Sequence, residues 1–165
     1  MYREFFLKGS PSRYKPVLTR SAAIRKAAHY CAYQERAHQE LRDKLYDLGL
    51  YRNEVEQVIA EMILSGFLNE ERFAMAYVSG KFRINHWGRR KIRHGLRLKR
   101  VPDKLIEKAL ATIDPGDYRD TILRQAEKYS RQLTERHPQR RKWKVAHYLA
   151  ERGFEPELVS ELLEC

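Results

Sequence analysis

From Ser21 onward, apolar residues recur every three or four positions, the spacing of one face of an α-helix. No stretch of four or more alternates apolar and polar residues as a half-buried strand does. The pattern predicts an all-α fold, and it also repeats at long range. Leu41, Leu45, Leu50, Val55, Val58 and Ile59 are followed 51 residues later by Ile92, Leu96, Val101, Ile106, Ala109 and Leu110. A further 53 residues on come Val145, Leu149, Phe154, Val159, Leu162 and Leu163. All eighteen positions are apolar in a chain that is 42% hydrophobic, so the register is not a product of composition.

The turns fall in the same register. Gly49, Arg100 and Gly153 stand one residue before Leu50, Val101 and Phe154. Glycine suits the position just past a helix end because it takes the left-handed conformation without a Cβ penalty. Arg100 in that conformation costs about 1 kcal/mol. Pro102 and Pro156 stand where a following helix begins, a place proline tolerates. Each unit thus reads as a helix, a tight turn and a second helix. A further helix precedes each pair, over roughly 21–34, 70–83 and 117–134, and these upstream helices do not align at the same offsets. Asn69-Glu70-Glu71 is a helix start, and Asp114-Pro115-Gly116-Asp117 is a break.

The expected organisation is a basic, poorly ordered arm over 1–20 and three-helix units over 21–66, 67–114 and 115–165. That makes about nine helices, stacked so that neighbours bury each other's apolar faces.

Charge changes the picture next. Lys and Arg outnumber Asp and Glu by 33 to 22, a net +11, and the excess is uneven. The arm carries +4, the first unit −1, the second +7 and the third +1. Such a balance points to a polyanionic partner. Between Arg72 and Pro102 there is no carboxylate among ten basic residues. On a helix over about 88–99, Arg89, Arg93 and Arg97 fall within an arc of roughly 80°, beside the core stripe of Ile92 and Leu96. Guanidinium binds phosphate bidentately and stays charged, so such a row suits a nucleic-acid backbone. Arg83, Arg90 and Lys91 extend it, Trp87 is the candidate for stacking on an unpaired base, and Phe82 reads as core. A second basic cluster, Arg140, Arg141 and Lys144 beside Trp143, opens a helix of the third unit, which also carries a nearly compensating acidic tail.

Little else points to chemistry. The eight glycines include no phosphate-binding loop, and no His or Cys spacing indicates a metal or cofactor. The six histidines are dispersed, no acid/base pair stands out, and catalysis is not expected. Cys31 reads as a small buried hydrophobe and Cys165 as a terminal residue. No apolar run is long enough to span a bilayer, and a cytoplasmic monomer is expected.

Three stretches resemble the RecX family of RecA modulators. Gln34-Glu35-Arg36-Ala37-His38-Gln39-Glu40-Leu41-Arg42-Asp43-Lys44-Leu45 looks like its R-x-x-x-E-L-x-x-K-L segment. Gly66-Phe67-Leu68-Asn69-Glu70-Glu71-Arg72-Phe73-Ala74 is similar to its G-[YF]-[LI]-[ND]-[DE]-x-R-F-A motif. Gly88-Arg89-Arg90-Lys91-Ile92, running to Leu96, is similar to G-x-x-[KR]-I-x-x-x-L. The likeness covers about 21–114 by motif and 115–165 by repeat spacing. It departs from the family at Ala37-His38, where a small hydroxyl residue is usual, and at Arg100, where glycine is.

The resemblance implies an elongated, curved chain of three-helix repeats lying in the groove of the RecA–single-stranded DNA filament. It also implies limited filament growth and less strand exchange, ATP hydrolysis and SOS co-protease activity. The family carries no fixed catalytic residues to transfer. Contact with the filament, or with single- or double-stranded DNA, is expected through Arg89, Lys91, Arg93 and Arg97 first, then Arg140, Arg141 and Lys144. A sequence-specific DNA-binding module and a purely protein-binding scaffold are the alternatives; the basic helix has no Asn or Gln in its first turns for reading adenine.

Overall fold

The computed structural model describes residues 18–164, and among them nine α-helices and no strand. The basic arm expected over 1–20 lies outside the described residues except for its last three, and Arg20 already opens a helix; Cys165 also lies outside them. The helices are α1 (Arg20–Tyr33), α2 (His38–Asp47), α3 (Arg52–Leu64), α4 (Glu70–Arg83), α5 (Arg89–Leu98), α6 (Asp103–Leu110), α7 (Pro115–Gln132), α8 (Pro138–Glu151) and α9 (Pro156–Leu163). They pack in threes: α1–α3, α4–α6 and α7–α9, called units one, two and three below.

The helix starts follow from local chemistry. Asn69 Oδ1 accepts the Arg72 N–H at 2.8 Å and Asp114 Oδ1 that of Asp117 at 2.9 Å, satisfying donors that a helix end leaves open. Glu40 and Glu54 reach back to the N–H groups of Ala37 and Tyr51, at 3.1 and 2.9 Å. The tight turns are three copies of one geometry. Gly49, Arg100 and Gly153 have φ of 89°, 57° and 89°. The N–H groups of Leu50, Val101 and Phe154 close back on the carbonyls of Leu45, Leu96 and Leu149 at 3.1–3.2 Å. Arg100 therefore takes the strained conformation that its register demands.

Of the eighteen repeat positions, all are buried except Leu162 and Leu163, which are half-buried against the core. The expectation for the upstream helices needs correcting. Ala23, Ala27 and Cys31 are the buried residues of α1, and Ala74, Val78 and Phe82, each 51 residues on, are buried on α4. The first two units thus repeat throughout. The signal was faint because α1 is rich in alanine, which marks no stripe. Only α7 departs, being 18 residues long against 14 for α1 and α4.

The two junctions between units differ in kind. Units two and three share one core, in which Tyr118, 1% exposed, packs between the rings of Phe82 and Phe154. Backbone meets backbone there: the Gly88 N–H donates to the Arg152 carbonyl at 2.8 Å, and the Arg90 N–H to that of Gly153 at 3.0 Å. Unit one has a core of its own, closed by Leu68, and sends only Ala37 into the other. Its junction with unit two is carried by side chains: Glu35 with Arg72, Glu40 with Lys99, and Glu70 with His38 Nδ1 at 2.9 Å.

Tyr118 makes the second junction pH-dependent. Its phenol donates to Glu155 Oε2 at 2.6 Å and accepts the Arg89 N–H at 2.9 Å. Burial, reinforced by the Glu155 carboxylate, pushes its ionisation well above the ordinary value of 10.0. The unfolded chain then loses this proton first, so the stabilisation present below pH 10 fades as pH rises beyond it, by up to about 1.4 kcal/mol per pH unit. In urea titrations at stepped pH, the stability gap between the protein and Tyr118→Phe is expected to narrow above pH 10. Parallel curves would contradict this placement of the phenol.

Candidate nucleic-acid interface

The acid-free run between Arg72 and Pro102 spans α4 and α5, but folding brings carboxylates to it from elsewhere. Arg93 holds Glu107 of α6 through two hydrogen bonds, Nε to Oε1 at 2.7 Å and Nη2 to Oε2 at 2.9 Å. Arg97 holds Asp103 at 2.8 Å. Arg89 lies over the Tyr118 ring, 3.9 Å from its centroid, with Glu155 3.9 Å away. Glu107 and Asp103 are lowered below the usual carboxylate range by these arginine hydrogen bonds. The predicted arginine row is thus engaged within the protein, most fully at Arg89 and Arg93, which are both only partly exposed.

The Arg93–Glu107 pair is itself a repeat feature. Arg42 and Glu56, each 51 residues earlier, make the same two hydrogen bonds at 2.8 and 3.0 Å between α2 and α3. In unit three the corresponding residues are Ala146 and Ser160. The signal for a structural role at Arg93 was available in the sequence, at the offset that reveals the core.

The remaining cations of this region are fewer. Arg83 and Arg90 are exposed and have no carboxylate within ion-pair distance among the described residues. Arg83 lines a polar cleft of about 160 Å³ together with Ser79, Asp114 and Asp117. The ammonium groups of Lys81 and Lys91 lie 4.7 and 4.8 Å from the Trp87 ring centroid, and Lys91 also donates to the Glu151 carbonyl at 3.3 Å. Trp87 is half-buried against the core, so little of its ring remains for a base. Phe82 is buried, as expected.

The second cluster divides in the same way. Arg141 donates to the carbonyls of Ser130, Leu133 and Glu135 at the end of α7, which makes it a structural clasp. Lys144 pairs with Glu135 at 3.1 Å. Glu135 is lowered below its ordinary range by the His137 N–H first and Lys144 second. Arg140 is exposed with no such partner among the described residues. Trp143, not singled out for stacking by its sequence, is 65% exposed and stacks on His147 with centroids 5.2 Å apart. Among the described residues, no cluster of His, Cys, Asp or Glu is placed to hold a metal ion, and no helix is long and apolar enough to cross a membrane.

Comparison with known proteins decides the family. The model of the first three-helix domain of RecX matches residues 23–62, that of the second 69–110, and that of the third 116–163. The chain belongs to the RecX family. It is 30% identical over 142 residues to the regulatory protein RecX of Prosthecochloris aestuarii, covering 86% of this chain and 91% of that one. It is 25% identical over 141 residues to the RecX of Bacillus licheniformis, covering 86% of this chain and spanning about half of that longer relative, 54%. The crystal structure of RecX from Lactobacillus salivarius shares the fold, with a TM-score of 0.81 at 22% identity over 88% of this chain and 94% of that one.

The RecX-like motif over Gly66–Ala74 is the joint between units one and two. Gly66 turns with φ of 75°, Asn69 caps α4, and Arg72 pairs with Glu35 and donates to the Gly66 carbonyl at 3.1 Å. Glu70 takes His38, while Phe73 and Ala74 enter the core.

Proposed function

We propose that this RecX-family chain binds RecA filaments on single-stranded DNA and restrains them, lowering recombinase, ATPase and co-protease activity by binding and without chemistry of its own. The observation that carries the reading is the match to all three RecX domains in a chain whose middle unit holds a net +7. The filament offers phosphates and repeated protein surface together, and a modular monomer in the cytoplasm suits both. Among the residues nominated from sequence, Arg83, Arg90 and Arg140 are the best placed for phosphate, with Lys91 beside them and Trp143 as the exposed ring. Arg89, Arg93, Arg97, Arg141 and Lys144 act first by holding the surface in shape.

Binding measured on RecA-coated single strands, bare single strands and duplex is expected to rank in that order. Tight binding to one duplex sequence with no preference for the filament would favour a DNA-binding module instead.

A further inference from the structure

The groove between α1 and α2 of unit one is open, about 370 Å³ in volume, with a floor of Ala27, Leu41, Leu45 and Leu48. Arg25, Lys26, His29 and Lys44 also line it, all exposed and none within ion-pair distance of a carboxylate among the described residues. An apolar trough edged by cations is complementary to a segment that is both apolar and acidic.

Unit two closes the equivalent place with its own side chain. At the 51-residue offset, Lys26 corresponds to Tyr77 and Lys44 to Gly95. Tyr77 lies directly over Gly95, its hydroxyl 2.4 Å from where a Cβ would stand, so unit two fills its own groove with an aromatic ring. The Lys81 and Lys99 ammonium groups flank that ring at 5.4 and 6.0 Å. Unit one has Tyr30 and Leu48 where those two lysines stand, lacks the ring, and carries cations of its own at the groove edge. Its one aromatic lining residue, Tyr30, already carries Arg36 over one face at 4.0 Å.

We propose that this groove docks an acidic segment of a protein partner, one aromatic side chain of which lies on the Leu41, Leu45 and Leu48 floor beside Lys44. The surface is separate from the cations of units two and three, and the proposal does not depend on DNA binding.

The test uses the whole chain and a short synthetic peptide of Glu and Ser around one central Tyr. Methyl NMR shifts are expected at Leu41, Leu45 and Leu48, saturating with peptide. A peptide with Ser in place of Tyr is expected to bind roughly tenfold more weakly. The double variant Lys26→Tyr/Lys44→Gly, which builds the filled groove of unit two into unit one, should lose binding by a similar factor. Lys44→Glu, a single exposed change, should weaken binding without altering the thermal midpoint. Equal binding of both peptides would overturn the proposal. So would shifts confined to the Arg83–Lys91 surface, or stronger shifts at the same methyls from a single-stranded oligonucleotide.

Discussion

Alanine in place of Gly88 is expected to force units two and three apart, at a cost of about 3 kcal/mol. The added Cβ would stand 2.2 Å from the carbonyl carbon and oxygen of Gly153 and 2.3 Å from the Phe154 nitrogen. All three are backbone atoms of the tight turn in unit three, so no side chain can swing aside. Relief requires the turn to withdraw, and that breaks the hydrogen bonds from Gly88 to Arg152 and from Arg90 to Gly153. Since both units share one core, the loss spreads to the packing of Tyr118 and Phe154. For a chain of this size the melting midpoint should fall by about 6–12 °C. Gly80→Ala is the control: nothing lies within 4 Å of its Cβ position, and an alanine inside α4 should raise the midpoint slightly. A Gly88→Ala protein that melts with the parent would mean that the two units do not meet as described.

This junction also marks where sequence reasoning stopped. The repeat exposed the core because burial recurs wherever the same three-helix unit recurs, and Leu41, Ile92 and Val145 need no knowledge of their neighbours to be assigned inward. Surface charge has no such autonomy. Glu35 and Glu40 come from unit one and Glu155 from unit three, and nothing in the local sequence around Arg72, Lys99 or Arg89 announces them. An acid-free stretch of chain is therefore not an acid-free surface. Arg141 illustrates the same point. It occupies the register position of Ala37 and Gly88, where the following unit docks in units one and two, and in unit three it clasps the end of α7 instead. The repeat register held that information; the count of basic residues did not.

The second large effect concerns affinity. Reversing Arg83 and Arg90 together to glutamate is expected to weaken filament binding by at least roughly tenfold at moderate salt, and to reduce the slope of log affinity against log salt by about 1.4. That slope change corresponds to two lost contacts with single-strand phosphates, at about 0.7 each. Helicity should stay near that of the parent, because both side chains are exposed and neither is paired with a carboxylate among the described residues. Melting should fall slightly, since Arg83→Glu sets a like charge in the cleft shared with Asp114 and Asp117. Arg93→Glu should behave in the opposite sense. It sets a like charge against Glu107, so its main effect is on stability, with the salt slope nearly unchanged. If Arg93→Glu flattened the slope while Arg83→Glu/Arg90→Glu did not, the phosphate contacts would lie on the arginine row of α5, and the ion pairs would have to open on binding.

The most direct measurement is a titration of this protein, far below stoichiometric amounts, into RecA hydrolysing ATP on saturating single-stranded DNA. Excess strand removes simple competition for DNA as an explanation. The account predicts marked inhibition at low ratios, because a chain that seats on the filament blocks many subunits at once. Undiminished hydrolysis, together with tight binding to naked duplex, would contradict it.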